Sequence, residues 1–239
     1  MAIDNHHAQA ARALGADRGW GWIAEGFDYF KRAPGAWIAM VIILGVLYIV
    51  ATYIRFIGFI AASVAMPIFM GGLMLACRRQ DRGEAAEITD LFAGFKNRTA
   101  QLVIVGVVYL VGTFIISLIG GGLAALLAGG DMMVSGGHGG MGLTRGIVVM
   151  MLVVAALSIP LLMAIWFAPA LVLFNELEPL EAMRRSFAGC LKNIVPFLIY
   201  GVVAFVICFI AAIPFGLGFL VAGPVLIASV YVGYREIFA

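Results

Sequence analysis

The chain has 239 residues, of which 64% are hydrophobic and 12% charged, and its formal net charge is +2. A soluble domain is about half apolar and a quarter charged, so this composition excludes an ordinary globular protein and describes an integral membrane protein. Its 15 basic residues are dispersed between apolar runs and form no concentrated surface, which excludes a nucleic-acid partner.

The N-terminal stretch from Met1 to Ala16 holds His6, His7 and Arg12 among small residues. It has no charged region followed by an apolar core, so it does not read as a cleavable signal peptide. Two adjacent histidines without further ligands read as a solvated end. Residues 1–17 are expected to be a disordered tail and residues 18–239 a single membrane domain. From Arg18 the apolar positions Trp20, Ile23, Phe27 and Phe30 follow steps of three and four, with Glu25, Asp28 and Arg32 on the other side. That pattern predicts an amphipathic helix. It is too short and too charged to span, and its Trp and Tyr suit the headgroup level. It is therefore expected to lie in the interface until Pro34-Gly35 turns the chain inward. Trp20, Trp22, Phe27, Phe30 and Lys31 are its expected anchors.

Six apolar runs follow: Ala36 to Ile54, Ile57 to Ala76, Gln101 to Ala128, Gly146 to Phe174, Ile194 to Ile213 and Gly216 to Tyr234. About 20 apolar residues cross a bilayer as a helix, and each run meets that length without an Asp, Glu, Lys, Arg or His. Tight turns at Arg55-Phe56 and Pro214-Phe215 join the first and last pairs. The middle pair is joined by a long loop, Gly129 to Arg145, containing seven glycines. Met132, Met133, His138 and Met141 are the soft donors that copper accepts. The glycines leave them undirected, so the loop reads as a flexible connection with no metal. No cofactor is expected. Cys77, Cys190 and Cys208 read as small apolar residues with no disulfide partner.

The amphipathic segment recurs. Phe92-Ala93-Gly94-Phe95-Lys96-Asn97 precedes the third span, and Phe187-Ala188-Gly189-Cys190-Leu191-Lys192-Asn193 precedes the fifth. Phe92, Phe95, Lys96, Phe187 and Lys192 are the matching anchors. The expected fold is an all-α bundle of six transmembrane helices built from three repeats, at about 18–86, 87–178 and 179–239. Each repeat is an interfacial helix plus a helical hairpin. Pro67 and Pro224 each have an arginine eleven residues on, Arg78 and Arg235, whereas Pro169 holds that place in the second repeat without the arginine. Proline frees a carbonyl and bends a helix, so these three are the candidate hinges.

Placing both termini on one side puts 13 of the 15 basic residues there, leaving Arg55 and Arg145 opposite. The positive-inside rule makes that side cytoplasmic. Gly-Trp-Ile-Ala-Glu-Gly-Phe at 21–27, Phe-Met-Gly-Gly-Leu-Met-Leu-Ala-Cys-Arg at 69–78, Asp-Leu-Phe-Ala-Gly-Phe at 90–95 and Glu-Ala-Met-Arg-Arg-Ser-Phe at 181–187 resemble an uncharacterised family of proteobacterial six-helix inner-membrane proteins. More distantly they resemble YciC-type proteins and the membrane domain attached to some glycerophosphoryl diester phosphodiesterases. The resemblance covers nearly the whole chain beyond residue 18 and implies the bacterial inner membrane. It carries over no catalytic residue, because the phosphodiesterase chemistry of those relatives resides in a soluble domain.

The spans offer hydroxyls such as Ser63, Thr113, Ser117 and Ser158 but no ionisable neighbour, so no acid, base or activated nucleophile is in place for an enzyme. The same lack argues against ion-coupled transport. Two functions fit. One is translocation or sensing of a lipid or other apolar or amphipathic small molecule. The alternative is a structural or assembly partner of another membrane protein, using small-residue faces such as Gly71-Gly72 and Gly120-Gly121-Gly122. Membrane lipids are partners in either case.

Overall fold

The computed structural model describes residues 11–134 and 140–239, with the side chains at 55, 56 and 128–145 left outside the description. His6, His7 and His138 lie outside the described residues, as do the side chains of Met132, Met133 and Met141. Among the described residues every regular element is helical: α1 (Arg18–Arg32), α2 (Pro34–Tyr53), α3 (Arg55–Asp81), a 3-10 helix (Ile88–Phe95), α4 (Thr99–Val134), α5 (Gly140–Trp166), α6 (Ala168–Phe174), α7 (Pro179–Lys192), α8 (Ile194–Ala212) and α9 (Phe219–Phe238). Six stretches among the described residues are long and apolar enough to cross a membrane: Pro34–Tyr53, Ile57–Asp81, Thr99–Leu127, Gly146–Phe174, Ile194–Ala212 and Phe219–Phe238. These agree with the expected spans to within a few residues.

Local chemistry sets the boundaries. Proline disfavours helical conformation in the residue before it, and Ala33 stands at φ −151°, ψ 59°, which ends α1 and lets Pro34 open α2. Pro179 opens α7 in the same way, with Glu181 in the first turn and Lys192 in the last, as the helix dipole favours. The second amphipathic segment is a 3-10 helix where an α-helix was expected. Asn193 caps α7 and Asn97 follows two residues after the 3-10 helix, and in each the side-chain amide donates to the carbonyl four residues back, Asn97 to Ala93 at 2.8 Å and Asn193 to Gly189 at 2.9 Å.

None of the three amphipathic segments stands alone on the surface. α1 wedges between α8 and α9, the 3-10 helix lies on α3, and α7 lies on α5 and α6. The approach is close enough to require glycine. A Cβ on Gly26 would fall 2.5 Å from the Val225 carbonyl oxygen, one residue beyond Pro224. A Cβ on Gly94 would fall 2.1 Å from that of Ile68, one residue beyond Pro67. The Arg12 amide donates to the Ile237 carbonyl at 2.9 Å, so the two ends of the described chain meet. We call this the terminal end and the opposite one the hairpin end.

The core is gathered at the terminal end. Trp22, Trp37, Leu73, Leu102, Phe167 and Ile237 are fully or almost fully buried. Towards the hairpin end, residues such as Tyr53, Ile57, Leu126 and Phe215 are exposed on all sides where lipid would lie. The hairpins are thus pinned at one end and open clefts along their length.

Candidate functional site

The expected interfacial anchors divide. Trp22 is 1% exposed and Phe30 9%, so these two are core residues and not lipid anchors. The Trp22 indole donates to Glu236 Oε2 at 2.9 Å, and its ring meets Phe197 edge-on at 5.2 Å. Trp20 and Phe27 remain exposed, with Lys31 5.1 Å from the Phe27 ring centre. Phe92 and Phe95 are exposed on one side and edge against Phe69 on the other. Lys96 and Lys192 are exposed, Lys192 donating to the Ala11 carbonyl at 3.2 Å, and Phe187 is half-buried. The physical reason for the division is that each segment is held between helices, so one flank of its apolar stripe is covered and the other is not.

The three candidate hinges also divide. Pro67 and Pro224 lie inside the continuous helices α3 and α9. Pro169 instead sits in the first turn of α6, after a break at Phe167, and the proline inside α5 is Pro160. The break has a visible cause. In an unbroken helix the Phe167 amide would donate to the Met163 carbonyl; here it donates to Ser186 Oγ of α7 at 3.0 Å, and that hydroxyl donates to the Met163 carbonyl at 2.6 Å. A side chain inserted into the backbone ladder bends a helix. Ser186 is fully buried, and sequence reasoning did not single it out. Its signal was a hydroxyl on the buried stripe Met183, Ser186, Cys190, where a polar group needs a partner. The Cys190 thiol, buried beside it, is pushed up to about 12 by desolvation.

A polar cluster closes the terminal end and ties α1, α3 and α9 together. Asp81 accepts from Tyr29 at 2.5 Å and Tyr231 at 2.8 Å. Arg235 reaches Glu25 at 3.1 Å and Asp81 at 3.4 Å. Arg18 pairs with Glu25 at 2.5 Å and with Glu236. Burial and then the Asp81 carboxylate hold the Tyr29 phenol well above its ordinary range, so it remains a donor at neutral pH. Arg78, the other arginine singled out by its distance from a proline, lies outside this cluster and stacks over Phe174 at 4.8 Å.

The expected small-residue faces fare differently. Gly72 is used within the chain, its missing Cβ admitting the Leu91 carbonyl at 2.4 Å, whereas Gly121 and Gly122 face open space.

Two apolar clefts flank the core. The larger, about 760 Å³, lies between α5, α7 and α8, with Pro160, Met163, Trp166, Phe187, Leu198 and Ala204 among its walls. It runs from Ala156 to Trp166 on α5 and from Ile194 to Ala204 on α8. At 1.5 Å per residue that is about 15 Å, half of a bilayer core of roughly 30 Å. Its floor is aromatic, Trp166 lying edge-on to Phe197 at 5.9 Å and Tyr200 at 6.0 Å. Arg184 lies on the same α7 stripe as Phe187 and Leu191 and is almost fully exposed. The second cleft, about 550 Å³, lies between α8 and α9 above Trp20, Ile23 and Phe27 of α1.

The chain is similar to a probable inner membrane protein of Burkholderia thailandensis, with 27% identity over 223 residues covering 87% of this chain and 78% of the relative. No family model and no solved structure matches it. The relative's description and the six apolar helices agree on an integral membrane protein; the likeness to YciC-type proteins or the phosphodiesterase membrane domain receives no support from them.

Proposed function

We propose that this chain is a non-enzymatic protein of the bacterial inner membrane, with both termini cytoplasmic, that takes up a lipid or similar amphiphile between its hairpins. The observation that carries this reading is the α5–α7–α8 cleft. It is apolar, open to the side, and half a bilayer deep, which suits an acyl chain of one leaflet. Arg184, exposed on the same α7 stripe as the lining residues Phe187 and Leu191, suits the terminal end, where a headgroup layer would meet it. The crowding of 13 of 15 basic residues on the terminal side supports the cytoplasmic assignment. The placement of the three amphipathic segments, each on the hairpin of another, supports reading the chain as a cyclic triplication.

A second reading is favoured by Gly121 and Gly122, which leave a small-residue face of α4 uncovered, as a helix of another membrane protein would use. Native mass spectrometry of protein released from its own membrane with minimal delipidation separates the two. A lipid retained at fixed stoichiometry is the expected result. A lipid-free chain bound stoichiometrically to a second polypeptide overturns lipid uptake and establishes the assembly role.

A further inference from the structure

The lateral cleft is the first of three cavities in series. Leu162 and Trp166 line both that cleft and a central chamber of about 250 Å³ bounded by Pro67, Met70 and Pro169. Ser63, Met66 and Tyr109 in turn line both the chamber and a third cavity of about 510 Å³ between α2, α3 and α4. The third cavity reaches Thr52 and Gly58, beside the turn between α2 and α3, and so lies at the hairpin end. The lateral cleft reaches Phe187 and Ile194 at the terminal end. The series therefore extends from one end of the bundle to the other, with neighbouring cavities sharing wall residues at each junction.

The chemistry of the walls narrows what could pass. Among the described residues, no charged side chain lines any of the three cavities. A phosphate or ammonium head would lose water there and gain no counter-charge. Hydroxyls do line the inner route: Tyr48, Thr52, Ser63, Tyr109 and Thr113. Thr52 and Ser63 already donate to backbone carbonyls, at 2.6 Å to Ile49 and 2.8 Å to Phe59, so they offer lone pairs to a donor. The Tyr109 phenol is free to donate to an acceptor. One hydroxyl and an ester carbonyl on an uncharged head would satisfy both, and a diacylglycerol carries that pair.

Trp166 is placed to divide the series. It is the last residue of α5, on the turn whose ladder Ser186 has opened, so a small rotation at the break swings its ring without breaking further backbone bonds. Resting on the lipid-uptake reading above, we propose that the three cavities form one route for an uncharged, hydroxyl-bearing glyceride lipid, with Trp166 as the gate between the lateral cleft and the central chamber.

The test uses the full chain in phospholipid nanodiscs, with a photoreactive diacylglycerol and a phosphatidylglycerol bearing the same chains. Cross-links are mapped in the wild type, Trp166→Ala and Trp166→Phe. The diacylglycerol should label Leu198 and Ala204 and also Met66 and Tyr109, while the phosphatidylglycerol labels Leu198 and Ala204 alone. Trp166→Ala should raise chamber labelling about threefold, as a shifted open population would, with Trp166→Phe between. Labelling of the cleft with none in the chamber, in the wild type and both variants, overturns the route and leaves lipid uptake standing. Equal chamber labelling by both probes overturns the headgroup assignment. Labelling no greater in the cleft than on the outward-facing Leu152 overturns route and uptake together.

Discussion

The Ser186 hydroxyl stands between the Phe167 amide, 3.0 Å away, and the Met163 carbonyl that this amide would otherwise reach. The fourth span is therefore broken by a residue of the following amphipathic helix, and Pro169 downstream prevents the ladder from simply resuming. Ser186→Ala leaves the buried Phe167 amide without its acceptor, while the Met163 carbonyl keeps the Cys190 thiol at 3.6 Å. It should lower stability by about 1–3 kcal/mol, the cost of leaving buried polar groups unmatched. It should also change hydrogen exchange at Phe167 more than at neighbouring amides. An unaltered melting transition with unaltered exchange would show that the bridge holds nothing.

Glycine substitutions should divide by sign. Gly45 lies in α2 with nothing within 4 Å of a built Cβ, whereas Gly26 would place that atom 2.5 Å from the Val225 oxygen and 2.9 Å from the Ser229 nitrogen. Helix propensity alone favours alanine at both sites by up to about 1 kcal/mol. Gly45→Ala should therefore be neutral or stabilising, and Gly26→Ala destabilising by about 1–3 kcal/mol as α1 is pushed off α9. Thermal unfolding in one detergent compares them, and shifts of the same sign would mean that α1 does not approach α9 this closely.

The six spans were readable in the sequence because long charge-free runs separated by charge, proline and glycine leave few alternatives in a bilayer. The position of the amphipathic segments was not. Periodicity says which face of a helix is apolar, but not whether lipid or protein covers it. Trp20 and Trp22 lie about 200° apart on α1, so they could not both face lipid, and the structure buries Trp22. Pro169 was readable as a bend, but its partner Ser186 lies in a different helix, and pairing across such a distance leaves no local pattern. The cavities are likewise products of packing, as Trp166 illustrates by lining two of them.

Asp81 is the acceptor on which α1, α3 and α9 converge, taking Tyr29 at 2.5 Å and Tyr231 at 2.8 Å beside Arg235. Asp81→Ala leaves the Tyr29 and Tyr231 phenols without their acceptor, while Arg235 keeps Glu25 at 3.1 Å and the Tyr29 hydroxyl at 3.0 Å; Asp81→Asn keeps one acceptor oxygen. The loss should be about 1–3 kcal/mol for Ala and smaller for Asn, and Tyr29→Phe should be milder than either. Because the Tyr29 phenol is raised, its donated bond is fully present below the ordinary tyrosine value of 10.0 and is lost only as pH climbs through the higher folded value. Melting should thus show no step from this group between neutral pH and that ordinary value. A transition there, absent in Tyr29→Phe, would refute the assignment.

Acid should release the 3-10 helix. Arg79 at the end of α3 reaches Glu84 at 2.9 Å, Glu87 at 2.7 Å and Asp90 at 3.0 Å, so one guanidinium joins the span to the segment that packs on it. The hydrogen bond from Arg79, and then that from Thr89, hold the Glu87 carboxyl below its ordinary value of 4.5. A carboxyl with a lowered folded value contributes stability that is fully present above the ordinary value and is lost as pH falls through the lowered one. Glu87 is largely exposed, so screening keeps its share small, and the readout should be local and not global. Protection of the 86–95 amides, corrected for intrinsic exchange, should be high at neutral pH and fall as pH drops below the ordinary carboxyl value of 4.5, and Arg79→Met should lower it at neutral pH while flattening the dependence. A pH profile unchanged by Arg79→Met would place the acid sensitivity elsewhere and leave the attachment of this helix to Leu91 and Gly94 packing alone.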